Sequence, residues 1–440
     1  MTRKIMSTIL IFLLFYTPPI MGHRSLRILI FVSLAYILIN FKYVARFISN
    51  TRFLLQYAIW GAIIIYILIV GHASGNGANY LAGQVYWLIS VVPTCIVVAC
   101  LIQKEGLGIK GVLDCSLIAG FAQSIIAIIA FLSPSIKQLL ISSMIQGHVF
   151  KEQTYTYELL YRLFGYSGGL TFGMPALQSF LAMLALFLTV NYKPKYFFYV
   201  PFLAFSAIIN ARTSFVVMII CGVIIIFQRS NDNLKKAFRI LVLVVLAIIV
   251  LVVSLPVLEN IAPDTFNWIS RGINELFLAS RGNLDQGYFS YLTNSNKWIF
   301  PDGIGAIFGY GIRVMGNNKY NSATDVGFVN DMWFGGLIYL VIAYILFVMY
   351  CKRIKNIDVH QLDCPEALRI NGLGKYLFAS FIMTAFFLNF KTFIIDIHSL
   401  SMLFILMLIY ADLFDMYAPS DLLSNEHGNK RKGFKIVFRR

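Results

Sequence analysis

The sequence predicts an all-α, polytopic membrane protein with about twelve transmembrane helices. Of its 440 residues, 59% are hydrophobic and only 13% are charged, whereas about 25% of the residues in a soluble domain are charged. Apolar runs of about 18 residues recur along the chain, and a helix of that length crosses a hydrocarbon core about 30 Å thick. The runs must be helical, because an unpaired backbone amide in lipid costs several kcal/mol. The short alternating segments of barrel strands are absent.

The predicted spans divide the chain into four parts, and ten to thirteen spans is the range that the sequence allows. The spans are residues 5–22, 26–41, 53–71, 80–102, 112–132, 169–191, 196–211, 213–229, 237–257, 333–351, 373–389 and 393–415. Nine of them fall in residues 1–257 and three in residues 332–415. A large loop at 258–331 separates the two groups, and a basic tail follows at 416–440. The first span resembles a signal peptide, but the eleven spans after it favour an uncleaved anchor.

Lysine and arginine are distributed unevenly between the two sides of this topology. With the N-terminus inside, 24 of the 36 lysines and arginines fall in inner loops and tails, and 12 fall in outer segments. This asymmetry predicts that both termini are cytoplasmic. The basic residues at 430–440 are interpreted as an anchor to anionic membrane lipid, so nucleic acid is not an expected partner.

Cofactor and metal motifs are absent from the sequence. It contains no P-loop, no Rossmann glycine fingerprint and no HExxH motif. None of its six cysteines falls in an outer loop, so no disulfide is expected there, and their spacing predicts no metal site. We therefore expect neither a cofactor nor a metal.

Two outer segments are long enough to fold and to carry a function. The first, residues 133–168, contains an amphipathic stretch at 136–145. The second, residues 258–331, is 74 residues long and is predicted to form short amphipathic helices that lie on the membrane surface. Loops of this length are uncommon in compact folds unless they are functional, so the outer face is the predicted working face.

Arg212 is the first candidate for a functional residue. It stands in the sequence NARTS, between two apolar runs that only a few residues separate. A charge at such a depth in a membrane is expensive and is typically functional. The alternative is an arginine at the interface that extends its guanidinium to water, and the sequence leaves both interpretations open.

The large loop carries isolated arginines in an acidic segment. It has five basic and seven acidic residues. The planar guanidinium of arginine binds two phosphate oxygens at once, so Arg271, Arg281 and Arg313 could converge on a pyrophosphate. For Arg271, an i, i+4 helix pair with Glu275 is the favoured interpretation. Arg281, which stands where the predicted helix ends at Gly282, is the better candidate.

Carboxylates near the end of the large loop could act as a general base. Asp325 and Asp331 precede the tenth span, with Asn330 between them, and a carboxylate there could accept the proton of a substrate hydroxyl. Asp331 also fits an acidic residue that stabilises the helix dipole of the span, so Asp325 is the preferred base. Glu158, in the other long outer segment, is a further candidate.

These features together resemble the O-antigen polymerases, which are related to the O-antigen ligases. The resemblance rests on about twelve spans, on a large outer loop before the last few, and on the motifs SRGNL, FGYGI and TDVGFVNDMWFGGLIYL. The architecture matches over nearly the whole chain, and the motifs are short. The resemblance implies a GT-C-like fold and a polymerase of O-antigen or capsule repeat units at the outer face of the cell inner membrane.

The resemblance also implies roles for individual residues. In the family, arginines of an "SR" turn between two spans and a "GR" turn in the large loop hold the lipid pyrophosphate. The matching residues are Arg212, which follows Ala211 rather than serine, and Arg281, which follows Ser280 rather than glycine. Asp325 would be the base.

Some polymerases also carry, in each long outer loop, an arginine followed eleven residues later by glycine. Here the matching pairs are Arg162 with Gly173 and Arg271 with Gly282. About one such pair is expected by chance, so the match adds only weak support to the resemblance. Arg162 is accordingly a further candidate for binding the substrate.

The expected substrate is an oligosaccharide linked to undecaprenyl pyrophosphate, and the expected partners are a chain-length regulator and other polysaccharide assembly proteins. Two alternatives remain. The ligases carry a histidine near the end of the large loop, where this chain has Asp325, which disfavours a ligase. A flippase for lipid-linked oligosaccharide would have short loops and repeated halves, and the sequence shows neither.

Overall fold

A computed structural model describes residues 2–20, 23–48, 91–104, 108–146, 165–167, 173–211, 213–228, 327–355, 357–360, 370–388 and 399–417, with short helical pieces between 58 and 73 and single helical positions at 259 and 267. The described part is mostly helical, as the sequence predicts. Three of its helices are long and apolar enough to cross a membrane: Ile109–Leu132, Gly173–Asn191 and Gly336–Lys355. Shorter apolar helices are Lys4–Tyr16, Arg27–Ile39, Val92–Ile102, Ser214–Phe227 and Leu373–Leu388.

The helices of the first part of the chain coincide with predicted spans. They are α1 (Thr2–Tyr16), α2 (Ser25–Ile39), α4 (Val92–Lys104) and α5 (Gly108–Leu132), and α3 (Phe41–Ile48) is a short helix after α2. A two-stranded antiparallel hairpin of β1 (Pro19–Ile20) and β2 (His23–Arg24) joins α1 to α2, with Pro19 opposite Arg24. Neither the hairpin nor α3 was predicted from the sequence, because both elements are too short to contain a long apolar run.

The middle of the chain follows the predicted order. The amphipathic stretch at 136–145 belongs to helix α6 (Pro134–Gln146). It is followed by α7 (Gly173–Asn191), a 3-10 helix (Pro194–Phe198), α8 (Tyr199–Ile208) and α9 (Thr213–Phe227). The predicted ninth span, residues 237–257, lies outside the described residues.

The last described helices are α10 (Gly327–Lys355), α11 (Ile357–His360), α12 (Leu373–Leu388) and α13 (Ser399–Tyr417). α10 begins at Gly327, upstream of the predicted start at 333, and its backbone leaves the helical conformation at Gly336. The end of the predicted loop, with Asn330 and Asp331, is therefore helical.

α7 is the central helix of the bundle. Its residues from 173 to 188 are all buried, and it packs against α5, α8, α9 and α13. Phe180 stacks on Phe381 of α12 at 4.7 Å between ring centroids, and Phe187 stacks on Tyr376 at 4.3 Å. A helix that is apolar on all sides has no face for water, and the other helices surround it for that reason.

The two ends of the bundle differ in charge. The ends of α5, α7, α10 and α12 that carry Lys110, Lys193, Lys355 and Lys375 lie together, and we call this the basic end. The opposite end, which carries the last turn of α5, the first turn of α7 and the connection from α8 to α9, we call the loop end.

Two carboxylates at the basic end hold neighbouring helices together through hydrogen bonds and ion pairs. Asp114 of α5 accepts a hydrogen bond from the Tyr196 hydroxyl at 2.7 Å, and it lies 3.7 Å from Lys4 Nζ and 3.4 Å from Lys110 Nζ. Asp114 therefore ties α1, α5 and the 3-10 helix together.

The second carboxylate, Asp358 of α11, caps α12 from outside that helix. It accepts hydrogen bonds from the backbone N–H groups of Gly374 at 2.7 Å and Lys375 at 3.0 Å. These donors have no partner within the helix itself. Burial raises the pKa of the Asp358 carboxyl, while the two hydrogen bonds and Lys375 oppose the rise.

Candidate functional site

Most of the residues that the sequence singled out lie outside the described part of the chain. These are Glu158, Arg162, Arg212, Arg271, Arg281, Arg313 and Asp325. Asn330 lies in the described backbone of α10. Arg212 has described neighbours on both sides, Ala211 and Thr213, so the surroundings of its connection define the candidate site.

The connection from α8 to α9, residues 209–212, we call the hinge. Asn210 of the hinge and Ser214 of the first turn of α9 satisfy carbonyl groups at the end of α8. Asn210 Nδ2 donates to the carbonyl oxygen of Ser206 at 2.7 Å, and Ser214 Oγ donates to that of Ala207 at 2.8 Å. The Ala207 oxygen also accepts the N–H of Ala211 at 3.1 Å. The last carbonyls of a helix need such partners, so the hinge can lie inside the bundle without losing hydrogen bonds.

The α8–α9 hairpin is shorter than a bilayer is thick. The five residues of the 3-10 helix and the ten of α8 together rise about 25 Å. The 15 residues of α9 rise about 22 Å. Both values fall short of a hydrocarbon core of about 30 Å. Neither arm of the hairpin is therefore as long as a typical membrane-spanning helix.

Beneath the hinge, polar side chains from three helices form an interface that we call the polar lane. Its members are Gln123 and Ser124 of α5, Gln178 of α7, Ser206 of α8 and Asn210 of the hinge, and all five are 0% exposed. Gln123 and Ser124 lie on the face of α5 that begins at Gly120, because residues three and four apart share a helix face. The lane therefore extends from Gly120 toward the loop end.

Gly120 lets the three helices approach closely. A Cβ there would lie 2.8 Å from Leu181 Cδ1 of α7 and 2.8 Å from Leu203 Cδ2 of α8. The Gly120 carbonyl oxygen accepts hydrogen bonds from Gln178 Nε2 at 3.2 Å and from Ser124 Oγ at 3.0 Å. Small residues and interhelical hydrogen bonds of this kind hold helices together where burial of apolar surface cannot.

Some polar atoms of the lane have no hydrogen-bond partner within the described part of the chain. Gln178 Oε1 and Ser206 Oγ are two of them, and both are buried. A buried polar group without a partner costs about 1–3 kcal/mol, and such groups are uncommon enough that each needs an explanation. The polar lane therefore carries a cost that packing alone does not account for.

A short piece of the first outer segment returns to the loop end. Gly165 has φ +60, and a Cβ there would lie 2.7 Å from Gln123 Nε2, so only glycine fits against the lane. The next residue, Tyr166, donates its hydroxyl to the carbonyl oxygen of Pro19. Residues 165–167 of the first outer segment therefore contact the loop end of the bundle, and Arg162 precedes them in the chain.

Hydropathy and charge along the sequence do not predict the polar lane. Its residues are neutral, and a glutamine or serine in an apolar run does not break the run. The sequence does carry one indication of the lane. Gln123 and Ser124 follow Gly120 by three and four residues, which places all three on one face of a helix. Within the described residues, no group of three or more His, Cys, Asp or Glu side chains could hold a metal ion.

The fold and the site define a helical protein with helices able to cross a membrane and a buried polar lane beneath a short hinge. No protein-family model, no curated protein and no solved structure matches the chain.

Proposed function

We propose that the chain is a membrane glycosyltransferase of the O-antigen polymerase type, which joins lipid-linked repeat units of an O-antigen or a capsule. The observation that carries the proposal is the hinge. It lies at the end of a hairpin about 22 Å long, at the loop end of the bundle, where the side chains of Asn210 and Ser214 donate hydrogen bonds to the last carbonyl oxygens of α8. An arginine at that position in the chain suits a pyrophosphate at the membrane surface, whose prenyl tail stays in lipid.

The reaction transfers the growing glycan from undecaprenyl pyrophosphate to the end sugar of a new lipid-linked unit. The bond between the anomeric carbon and the pyrophosphate oxygen breaks, and the acceptor hydroxyl oxygen forms the new glycosidic bond. Asp325 takes the hydroxyl proton. Arg212 and Arg281, with Arg162, stabilise the negative charge that develops on the departing pyrophosphate. Undecaprenyl pyrophosphate is the second product.

The remaining candidates belong to substrate binding. Arg271 and Arg313 would contact the pyrophosphate or the sugars from the large loop, and Glu158 would do so from the first outer segment. Asn330, on the first part of α10, would donate its amide to a sugar hydroxyl.

The proposed orientation places the basic end in the cytoplasm and the loop end at the outer face of the inner membrane. The described lysines at the termini of α5, α7, α10 and α12 support it, because basic residues are retained on the cytoplasmic side. The hinge and the segment with Arg162 then share the outer face with the large loop.

The deciding experiment is the surface glycan of a deletion strain on a gel. A polymerase mutant displays single repeat units, a flippase mutant displays none, and a ligase mutant leaves long chains on the lipid carrier. Long surface chains in the deletion strain would end the proposal.

The arginines are tested by Arg212→Ala and Arg281→Ala in that strain, at normal protein levels. Removing one donor to a developing anion is expected to lower the rate about 100-fold or more, so glycan chains should become short. Arg27→Ala is the matched control, because Arg27 is an exposed arginine of α2 at the same end of the bundle. Polymeric glycan in both arginine variants would remove these residues from the scheme.

The base is tested by Asp325→Asn with purified lipid-linked units. Loss of proton transfer is expected to slow polymerisation about 100-fold or more. A wild-type rate would exclude Asp325.

A further inference from the structure

Two of the unpaired polar atoms of the lane belong to helices that pack on each other. Gln178 Oε1 lies on α7 and Ser206 Oγ on α8, both are 0% exposed, and neither has a partner in this arrangement. Their burial leaves no space for a water molecule beside them. Buried polar atoms of this kind find partners when the interface opens or when a polar ligand enters.

The two ends of α8 are held in different ways. At the basic end, Tyr196 donates to Asp114, and the ring of Phe121 contacts those of Phe198 and Phe202 at 5.3 and 5.1 Å between centroids. Aromatic contacts at this distance stabilise an interface beyond the area they bury. The basic end of α8 is therefore firmly attached to α5.

Toward the loop end, polar side chains replace this aromatic cluster. Phe131 and Phe205 are 6.1 Å apart between ring centroids, a wider separation than at the basic end. Ser206 of α8 and Asn210, just after α8, are both fully buried in the bundle beside the buried apolar residues Leu203 and Ala207. Separating this end from α5 and α7 would expose these apolar side chains, but it would also give Gln178 Oε1 and Ser206 Oγ the hydrogen-bond partners that they lack, which offsets part of the cost.

We propose that α8 pivots about its basic end and opens the polar lane at the loop end as a binding subsite for the hydroxyl groups of a sugar. The proposal rests on the proposed function. Gln178 and Asn210 each present both donors and an acceptor, and Ser206 does so through one hydroxyl. The lane has no charged member, so it suits the neutral sugar of the donor lipid, whose pyrophosphate the arginines hold.

The opening is tested with the full chain in nanodiscs, carrying Ser206→Cys or Ser124→Cys, and a negatively charged methanethiosulfonate reagent that reacts only with thiols in contact with water. Ser116→Cys is the matched control, because Ser116 is also fully buried on α5 and unpaired but lies nearer the basic end. The unsubstituted chain gives the background from the native cysteines. The lane variants should react about tenfold faster than the control or more, since the proposed pivot exposes the loop end and leaves the basic end closed.

The ligand is tested by adding either the undecaprenyl-pyrophosphate-linked repeat unit, extracted from the deletion strain, or undecaprenyl pyrophosphate without sugar. The repeat unit should slow the labelling of Ser206→Cys about tenfold at saturation, and the bare lipid should leave it unchanged. Labelling no faster than that of Ser116→Cys would overturn the pivot. Equal protection by both lipids, or protection by neither, would overturn the sugar subsite.

These results are distinguishable from a failure of the proposed function. Single repeat units on the deletion strain support the polymerase whatever the labelling shows. If the lane does not open, only the sugar subsite is refuted. Long glycan chains in the deletion strain would instead refute the polymerase proposal, on which the subsite rests.

Discussion

At the scale of single residues, the packing of the bundle depends on positions that carry no side chain. Gly374, in the first turn of α12, lies under the end of α10, where a Cβ would be 2.6 Å from the Lys355 carbonyl oxygen and 3.0 Å from that of Ile354. Both are backbone atoms of a helix and cannot rotate away. This close approach is also what brings the Gly374 N–H to within 2.7 Å of Asp358.

Replacing Gly374 by alanine is therefore expected to destabilise the protein by about 1–3 kcal/mol, as overpacking does. The unfolding temperature of the detergent-solubilised protein measures the effect. Gly222→Ala is the control, because a Cβ at Gly222 meets only Met183 Cε at 3.4 Å. The prediction is wrong if the two variants unfold at the same temperature.

At the scale of one element, α10 is two helices joined at a glycine. Gly336 has φ 71 and ψ −173, a region that essentially only glycine occupies. The break separates residues 327–335, which include Asn330, from the membrane-length helix Gly336–Lys355. The sequence predicted the long apolar helix but not the helix before it, because GFVNDMWF mixes polar and aromatic residues without the length of a span.

The neighbouring glycines of α10 are predicted to respond to alanine in opposite ways. Gly336→Ala should destabilise the protein by about 1–3 kcal/mol, because the side chain strains the break. Gly335→Ala should be neutral or stabilising by up to about 1 kcal/mol, since Gly335 lies in regular helix. Thermal unfolding of the two purified variants compares them. A more stable Gly336→Ala protein would show that the break is not required.

At the scale of the whole molecule, four lysines at the ends of different helices gather at one end of the bundle. Lys110, Lys193, Lys355 and Lys375 belong to helices far apart in the chain, yet their ends meet. The carboxylates Asp114 and Asp358 lie there as hydrogen-bond acceptors. The predicted inner segments, which are rich in lysine, thus supply residues that lie at the same end of the folded bundle.

Reporter fusions test the orientation that this asymmetry implies. Alkaline phosphatase, which folds only outside the cytoplasm, should be active when fused after Ser133 at the loop end and inactive when fused after Lys193 at the basic end. Green fluorescent protein, which fluoresces only inside, should show the reverse. The same reporter active at both positions, or the two patterns exchanged, would contradict the proposed topology.

The sequence predicts the helices well and their contacts poorly, for a physical reason. Long apolar runs identify α5, α7 and the second part of α10, because insertion in lipid depends on composition over a whole segment. The lane depends instead on which face of each helix meets which neighbour. The register that brings Gln178 to Gly120 is set by a few small and polar residues. Of the candidate arginines, Arg212 alone could be related to a described neighbourhood.

The burial of α7 has a consequence for how the protein assembles. When α7 is synthesised, helix α12, which supplies Phe381 and Tyr376 for its stacked aromatic contacts, has not yet been made. Phe180 and Phe187 must first face lipid, and they exchange lipid for protein only when α12 and α13 arrive. The core is thus completed last, by the final helices described in the chain. If translation stalls before α12, the surface of α7 that α12 covers in the folded protein stays exposed to the bilayer and to quality-control proteases.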